Sequence, residues 1–292
     1  MKWRSARQST NVEDRRGMGG GGGGGRGGMR LGLGGIVIVM VLGLVMGKNP
    51  MEMLGIVAQM EQQAPASQST PVDPNAPLTE AQQFSTVVLA STEDVWSKIF
   101  ADNNARYPAP TMNLFQGSVQ SACGGATSAS GPFYCPGDQK VYLDTQFFDE
   151  MKTSLGGGGD FAQAYVIAHE VGHHIQTLLG VSDQVNQVRA KGGNVEGDGG
   201  LLVRQELQAD CYAGLWAHYA QKEKQWMEPG DLDSAIRTAQ AIGDDTLQRK
   251  SRGTVVPDAF SHGTAEQRMA WFSRGFETGQ IGACDTFKAT VL

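Results

Sequence analysis

Basic residues are scarce in most of this chain. It has 24 Lys and Arg residues, and eight of them precede residue 49, whereas only two of its 30 acidic residues do so. Residues 49–292 therefore carry 16 basic and 28 acidic side chains. A body with this negative balance gains little from an anionic membrane surface or from a nucleic acid. We therefore expect no nucleic-acid partner.

Long apolar runs are also few. The run at residues 31–47 is the one long enough to suggest attachment to a membrane. This stretch of 17 residues has no charged side chain and lies between Arg30 and Lys48. Its length is at the short end of what crosses a bilayer, so it predicts one transmembrane helix. A cleaved signal peptide is the alternative, but no convincing small-x-small cleavage site precedes Lys48, and the apolar stretch begins late, after thirty residues.

The orientation of this predicted span follows from charge. Seven basic residues precede the span, which favours a cytoplasmic N-terminus and export of everything after residue 48. The sequence thus predicts a single-pass protein of the cytoplasmic (inner) membrane. Its body is expected on the extracytoplasmic, periplasmic side.

Cysteines are limited to four, and none of them forms a close C-x-x-C pair, which argues against a four-cysteine zinc site. All four follow the apolar stretch, in a compartment that permits disulfides. Four cysteines allow three pairings. We favour Cys123 with Cys135, across a short Gly/Ser-rich loop, and Cys211 with Cys284, which ties a helix to the C-terminal tail.

Composition divides the chain into four parts. Residues 1–30 are basic and glycine-rich and too poor in apolar groups to bury a core, so they predict a disordered cytoplasmic tail. The apolar stretch at 31–47 follows. Residues 48–77 predict a linker, because 62–77 are rich in Pro, Ala, Ser and Gln without periodicity. The folded domain is expected over residues 78–287.

The spacing of apolar residues predicts an α+β domain that is mainly helical with a small sheet. Short β-favouring runs between turn signals indicate strands within residues 112–148. A capping-box spacing, Thr264 with Gln267, marks the start of the last helix. Helices are predicted at residues 78–103, 161–179 (with Asp160 as a candidate N-cap), 201–222, 231–242 and 264–276.

The segment AHEVGHHIQ, residues 168–176, carries the motif with chemical content. His169, Glu170 and His173 spell H-E-x-x-H, and two helical positions four apart lie only 40° from each other. Both imidazoles can therefore reach one zinc ion at about 2.0–2.1 Å. Glu170 projects in another direction and suits the role of a general base acting on water. His174 points too far round the helix to bind the same ion, so we expect it to have a structural role. Gly172, which is costly inside a helix, suggests close approach of another backbone.

A catalytic zinc takes three protein ligands, so a third must come from elsewhere. No H-x-x-G-x-x-H extension follows, which excludes a third histidine on the same segment. Glu206 in RQELQADCYAG is the best candidate, with Asp210 one turn later on a helix that is otherwise largely apolar. Asp210 would then accept the free N–H of a ligand histidine.

With these residues in view, the sequence resembles the neutral zinc metallopeptidases of bacterial envelopes. The resemblance spans nearly all of residues 78–287, and four segments carry it: GPFYCPGDQKVYLD at 131–144, HEVGHHIQ at 169–176, ELQADCYAG at 206–214 and FSHGTAEQRMAWFSRGF at 260–276. The layout is also similar to the wider gluzincin group. It implies a zincin-like peptidase domain with one Zn²⁺ per chain, a protein or peptide substrate, Glu206 as third ligand and Asp210 as its companion.

The same resemblance puts His262 and Arg268 near the metal, where either would steady an oxyanion or a peptide carbonyl. A surface cap for His262 and a core ion pair for Arg268 are the alternatives. The strand at 140–143, which includes Tyr142, would either present an edge to an extended peptide or lie in the core. The sequence thus predicts a membrane-anchored zinc metallopeptidase; an envelope binding or scaffold protein with a structural or inactive zinc site is the alternative.

Overall fold

The computed structural model describes residues 1–16, 77–154 and 158–292. The predicted anchor at 31–47 and nearly all of the predicted linker at 48–77 lie outside these ranges. Within them, no helix combines the length and the apolar character needed to cross a membrane.

The described residues contain eight helices and six strands, together with three short 3₁₀ turns. In chain order they are β1 (Val12–Asp14), α1 (Glu80–Asp102), β2 (Thr111–Leu114), β3 (Ser118–Ser121), β4 (Gly124–Thr127), β5 (Phe133–Cys135), β6 (Lys140–Leu143), α2 (Gln146–Ser154), α3 (Asp160–Leu178), α4 (Val181–Ala190), α5 (Leu201–Lys224), α6 (Asp231–Ala241), α7 (Asp244–Arg252) and α8 (Ala265–Thr278). The prediction of a mainly helical α+β fold with a small sheet is confirmed.

Helix boundaries follow from local chemistry. The side chain of Thr264 accepts a hydrogen bond from the Gln267 N–H at 3.1 Å, and the Gln267 side-chain oxygen accepts one from the Thr264 N–H at 2.8 Å, which is the predicted capping box of α8. Thr79 and Gln82 form the same box at the start of α1. Helix α3 begins at Asp160 itself, one residue earlier than predicted.

The sheet has the strand order β1-β2-β6-β5, and a separate hairpin joins β3 to β4. Strands β1, β2 and β6 run parallel, while β5 is antiparallel to β6 and forms one edge of the sheet. The disulfide between Cys123 and Cys135 ties the hairpin to β5, and that between Cys211 and Cys284 ties α5 to the C-terminal tail. Both predicted pairings are confirmed.

Helix α5 lies at the centre of the core. Residues Leu207 to Ala217 of this helix are all buried, and Trp216 is fully enclosed. A Cβ on Gly275 of α8 would lie 2.0 Å from the Cys211 carbonyl oxygen, so α8 crosses α5 with backbone against backbone. This close crossing fixes the position of the α8 side chains relative to α5.

The first 16 residues are ordered, which corrects the prediction of disorder over residues 1–30 for this part; residues 17–30 lie outside the described ranges. Trp3 is only 5 % exposed and packs edge-on against Phe84 of α1. Strand β1 extends the sheet by pairing with β2. The segment is too poor in apolar groups to make its own core, but it adds its few apolar side chains to a core that the rest of the chain supplies.

Candidate metal centre and active-site cleft

Helices α3 and α5 bring the predicted ligands together. His169, Glu170 and His173 lie on α3, and Glu206 lies on α5. The two helices approach closely at Gly172, where a Cβ would lie 3.0 Å from the carbonyl oxygen of Ala209. The predicted close approach at this glycine is therefore found, and it places Glu206 opposite the histidine pair.

The donor atoms have the spacing of a single metal site. One nitrogen each from His169 and His173 and one oxygen from Glu206 all lie within 4.8 Å of one another. The Glu206 carboxylate is 3.2 Å from His169 Nε2 and 3.5 Å from His173 Nε2. Donors bound at about 2.1 Å in a tetrahedron are roughly 3.4 Å apart, so the two distances from Glu206 suit a single zinc ion, and these three residues would leave one ligand position for water or substrate.

Asp210 anchors the first of these histidines. It is fully buried, and its Oδ1 accepts a hydrogen bond from His169 Nδ1 at 2.8 Å, which leaves Nε2 to face the donor cluster. Arg268 of α8 forms a two-point ion pair with Asp210, through Nε at 2.9 Å and Nη2 at 3.0 Å. The Tyr165 hydroxyl also donates to Asp210, at 2.5 Å.

These charges shift the titration of the buried groups. Burial alone lowers the pKa of His169, but the Asp210 and Glu206 carboxylates outweigh it and raise that pKa to about 10. Burial likewise opposes ionisation of Asp210, yet the Arg268 cation and His169 hold its pKa below the ordinary range. The surroundings of His169 thus stabilise a positive charge, either a proton or a metal ion.

A second hydrogen-bond network, built from side-chain amides and not predicted from the sequence, orients His173. Its Nδ1 donates to Gln176 Oε1 at 2.8 Å. Gln176 is fully buried, and its own amide donates to the Gln205 carbonyl oxygen at 2.6 Å and to Gln208 at 3.1 Å. Gln176 follows His173 by three residues, so the helical i, i+3 spacing was the signal that could have identified it.

Glu170 lies beside the donor cluster and is only 9 % exposed. Burial raises the pKa of its carboxyl above the ordinary value, although the neighbouring imidazoles of His173 and His169 oppose the rise. For Glu206 burial also opposes ionisation, but the electrostatic influence of His173 and the hydrogen bond from His169 outweigh it and hold the pKa of Glu206 well below the ordinary range. The two carboxylates therefore differ in charge preference: Glu206 favours the ionised form that a metal ligand would need, and Glu170 favours the protonated form more than an ordinary carboxyl does.

An open cleft of about 430 Å³ contains the donor cluster. Glu170, His262 and Arg268 all line it, together with residues of the β5 edge such as Tyr134. His262 is held by Asp244 at the start of α7, which is 3.2 Å from its Nδ1 and also accepts the His262 backbone N–H at 2.6 Å. Asp244 was not predicted, since its only sequence signal is its place at a helix start.

Tyr142 and its strand do not contribute to the cleft, which corrects one of the two alternatives given for them. Strand β6 pairs with β2 on one side and β5 on the other, so it has no open edge. Tyr142 is buried, stacks on Phe133 and donates its hydroxyl to Asp138 at 2.7 Å. His174 is structural, as predicted: its ring bonds to the Tyr134 hydroxyl and the Pro108 carbonyl oxygen.

Two histidines and a glutamate from neighbouring helices, with a second glutamate beside them in a cleft, form a group that could hold a metal ion, as the resemblance to zinc peptidases implies. The chain belongs to the family described as "Putative neutral zinc metallopeptidase", whose model matches residues 1–287. The suspected family is thereby confirmed, and the match also includes the N-terminal segment.

Curated proteins that resemble this chain match it over all or about two thirds of its length. It is 46 % identical over 294 residues to the uncharacterized protein YpfJ of Escherichia coli K12, covering all of both chains. It is 44 % identical over 212 residues to the uncharacterized protein Rv2575 of Mycobacterium tuberculosis, covering 69 % of each chain. No solved structure matches it.

Proposed function

We propose that this protein is a zinc-dependent peptidase that hydrolyses peptide bonds with Glu170 as general base. One observation carries the proposal: His169, His173 and Glu206 converge within 4.8 Å in a cleft that also contains Glu170. The donor set of two imidazoles and one carboxylate is the set used by catalytic zinc, which keeps a position open for water. A site built only for structure would close with four protein ligands and has no use for a buried base beside them.

Zinc bound at this site would supply Lewis acidity, making water more acidic and a substrate carbonyl more electrophilic. Glu170 accepts a proton from the attacking water and delivers it to the departing amine nitrogen. Burial, which raises the pKa of Glu170, makes both transfers feasible near neutral pH.

The surrounding residues position these groups. Asp210 and Gln176 each hold the Nδ1–H of one ligand histidine, which fixes the ring orientation that presents Nε2. Asp244 engages His262 Nδ1, so Nε2 is the ring nitrogen of His262 that remains for a substrate oxygen in the cleft. Negative charge that develops on the carbonyl oxygen would be stabilised by this group.

We further propose that the domain works outside the cytoplasm. Two disulfides, Cys123 with Cys135 and Cys211 with Cys284, support this location, because such bonds persist in oxidising compartments. A protein or peptide substrate would reach the cleft there.

The test compares the purified full chain with Glu170→Gln and Glu206→Ala. Glu170→Gln should keep a zinc stoichiometry of about one and lose hydrolysis of an unstructured protein substrate by about 10²–10⁴-fold, the range for a lost general base. Glu206→Ala should lose bound zinc by elemental analysis. Glu223→Gln, an exposed change at the far end of the same helix as Glu206, serves as the matched control and should alter neither quantity.

Full proteolysis by Glu170→Gln, with contaminating proteases excluded, would refute the role of this carboxylate. If the wild-type protein binds zinc tightly but cleaves no peptide in a broad library, the alternative of a binding or scaffold protein with a non-catalytic zinc site is correct instead.

A further inference from the structure

The segment 1–16 is built into the body that carries the metal site. Its strand β1 pairs along β2: the Met112 N–H donates to the Asn11 carbonyl oxygen, and the Arg15 N–H donates to the Leu114 carbonyl oxygen, both at 2.8 Å. The indole of Trp3 donates to Asp160, the first residue of the helix that carries H-E-x-x-H, at 2.8 Å. Backbone pairing and a buried indole are features of a folded unit and not of a separate tail.

The polar contacts of the segment are equally specific. Glu93, a buried acid of α1, accepts hydrogen bonds from the side chains of Ser9 at 2.5 Å and Asn11 at 2.8 Å, and pairs with Arg7 at 3.0 Å. A buried carboxylate without such partners would be costly. Helix α1 is therefore shaped to receive this segment.

The basic residues of the segment also have an explanation within the fold. Arg4 pairs with Glu80, and Arg7 pairs with Asp94 as well as with Glu93. Two of the seven cations on which the charge-based orientation depends thus serve as partners for acids of α1. Their presence ahead of the apolar stretch need not indicate retention in the cytoplasm.

The described residues on the two sides of the gap between 16 and 77 lie close together. Arg16, the last residue described before the gap, donates from Nη1 to Gln82 Oε1 at 2.6 Å. Gln82 belongs to the capping box at the start of α1, only a few residues after the described chain resumes at residue 77. A helix that crossed a bilayer once between these points would put them on opposite faces of a barrier about 30 Å thick.

We propose that residues 1–16 and residues 77–292 lie on the same side of the membrane. This proposal conflicts with the single-pass orientation derived from charge, which requires the two parts to lie on opposite sides of the membrane. The family model matches from residue 1, so the segment belongs to the unit that defines the family. The proposal is independent of the peptidase activity, since it depends on packing alone.

The test places one new thiol in each part of the full-length protein, in cells. Ser5→Cys reports the segment and Ser97→Cys reports α1; both positions are exposed, and the four native cysteines are all paired. Cells with an intact cytoplasmic membrane are treated with a membrane-impermeant maleimide, lysed cells define full reactivity, and peptide mass spectrometry identifies the labelled site. Equal labelling of the two thiols in intact cells, or equal protection of both until lysis, is expected. Labelling of one thiol with protection of the other would overturn the proposal.

A carbodiimide cross-link measures the packing in the same membranes. Glu13 and Lys140 are 2.7 Å apart across β1 and the sheet, while Asp94 and Lys224 are 2.6 Å apart within the body and provide the matched control. Amide links should form at both pairs, and Glu13→Gln should abolish only the first. A link at the control pair without one at Glu13 would show that the segment is not docked in the membrane-derived protein, and the proposal would fail.

Discussion

Replacing Asp210 by Asn tests the charge balance beneath the metal site. The Asp210 carboxylate is fully buried and accepts hydrogen bonds from His169 at 2.8 Å, from the Tyr165 hydroxyl at 2.5 Å and from two Arg268 nitrogens at 2.9 and 3.0 Å. Asparagine keeps one acceptor oxygen and turns an NH₂ group towards these donors. Arg268 would then be a buried cation without its ion-pair partner.

Removing one partner of a buried ion pair costs about 3–5 kcal/mol in the free energy of unfolding. That is a large share of the roughly 5–15 kcal/mol of a typical domain. Zinc affinity should also fall by about 10–100-fold, because His169 loses the group that orients it. Urea denaturation of the metal-free protein measures the first effect, and competition with a chromophoric zinc chelator measures the second.

A double variant separates the ion pair from general damage. Combining Asp210→Asn with Arg268→Met removes both charges, so its loss of stability should be smaller than the sum of the two single losses by about 0.5–3 kcal/mol. The exposed Asp183→Asn on α4 is the control and should change stability by less than about 0.5 kcal/mol. Additive single losses, or an Asp210→Asn protein within about 1 kcal/mol of wild type, would refute the reasoning.

Three further outcomes follow from the structure. Gln176→Met, which removes the acceptor for His173 Nδ1–H, should weaken zinc binding by about 10–100-fold in the same chelator competition. Gly275→Ala places a methyl group 2.0 Å from a backbone oxygen of α5, so α8 must shift, and thermal denaturation should show a loss of about 1–3 kcal/mol. The hydrogen bond from Lys140 lowers the pKa of Glu13 below 4.5, so this contact stabilises the fold above about pH 4.5 and is lost as the pH falls through the lower folded value. Hydrogen exchange of the β1–β2 amides should accelerate over that acid range.

For each of these three predictions, a different result would contradict the reasoning. Unchanged zinc affinity in Gln176→Met would mean that His173 keeps its orientation without the amide. Gly282→Ala, where a Cβ would have no neighbour within 4 Å, is the control for Gly275→Ala, and an equal loss in both variants would exclude overpacking as the cause. Exchange in Glu13→Gln that still accelerates in acid as in the wild type would assign the pH effect to other groups.

Local patterns predicted what depends on a single stretch of chain. The four-residue spacing of His169 and His173 sets both imidazoles on one face of any helix that forms there, whatever packs against it. The capping box of Thr264 and Gln267 is likewise complete within four residues. The disulfide pairings were a weaker inference, because a bond between Cys211 and Cys284 requires a helix and a distant tail to meet.

The tail at residues 1–16 shows why some predictions were wrong. By itself this segment has too few apolar groups to bury a core, and the prediction of disorder followed from that alone. Trp3 becomes buried because Phe84 of α1 is already in place, and Glu93 supplies an acceptor for groups of the segment. Partners that are about 80 residues away leave no mark on the local composition.

The amino-acid sequence by itself identified His169 and His173 as the proposed ligand pair, Glu170 as the proposed base and the helical character of their surroundings, since these depend on the periodicity of one helix. The tertiary structure set the distances at which Glu206, already the candidate from the sequence, meets the pair, and it alone showed that Gln176 and Asp244 orient the imidazoles around the cleft. The distance between two helices is set by how closely their backbones pack, as at the contact between α3 and α5. That packing depends on the surfaces of both helices, so the sequence pattern of one helix does not reveal it.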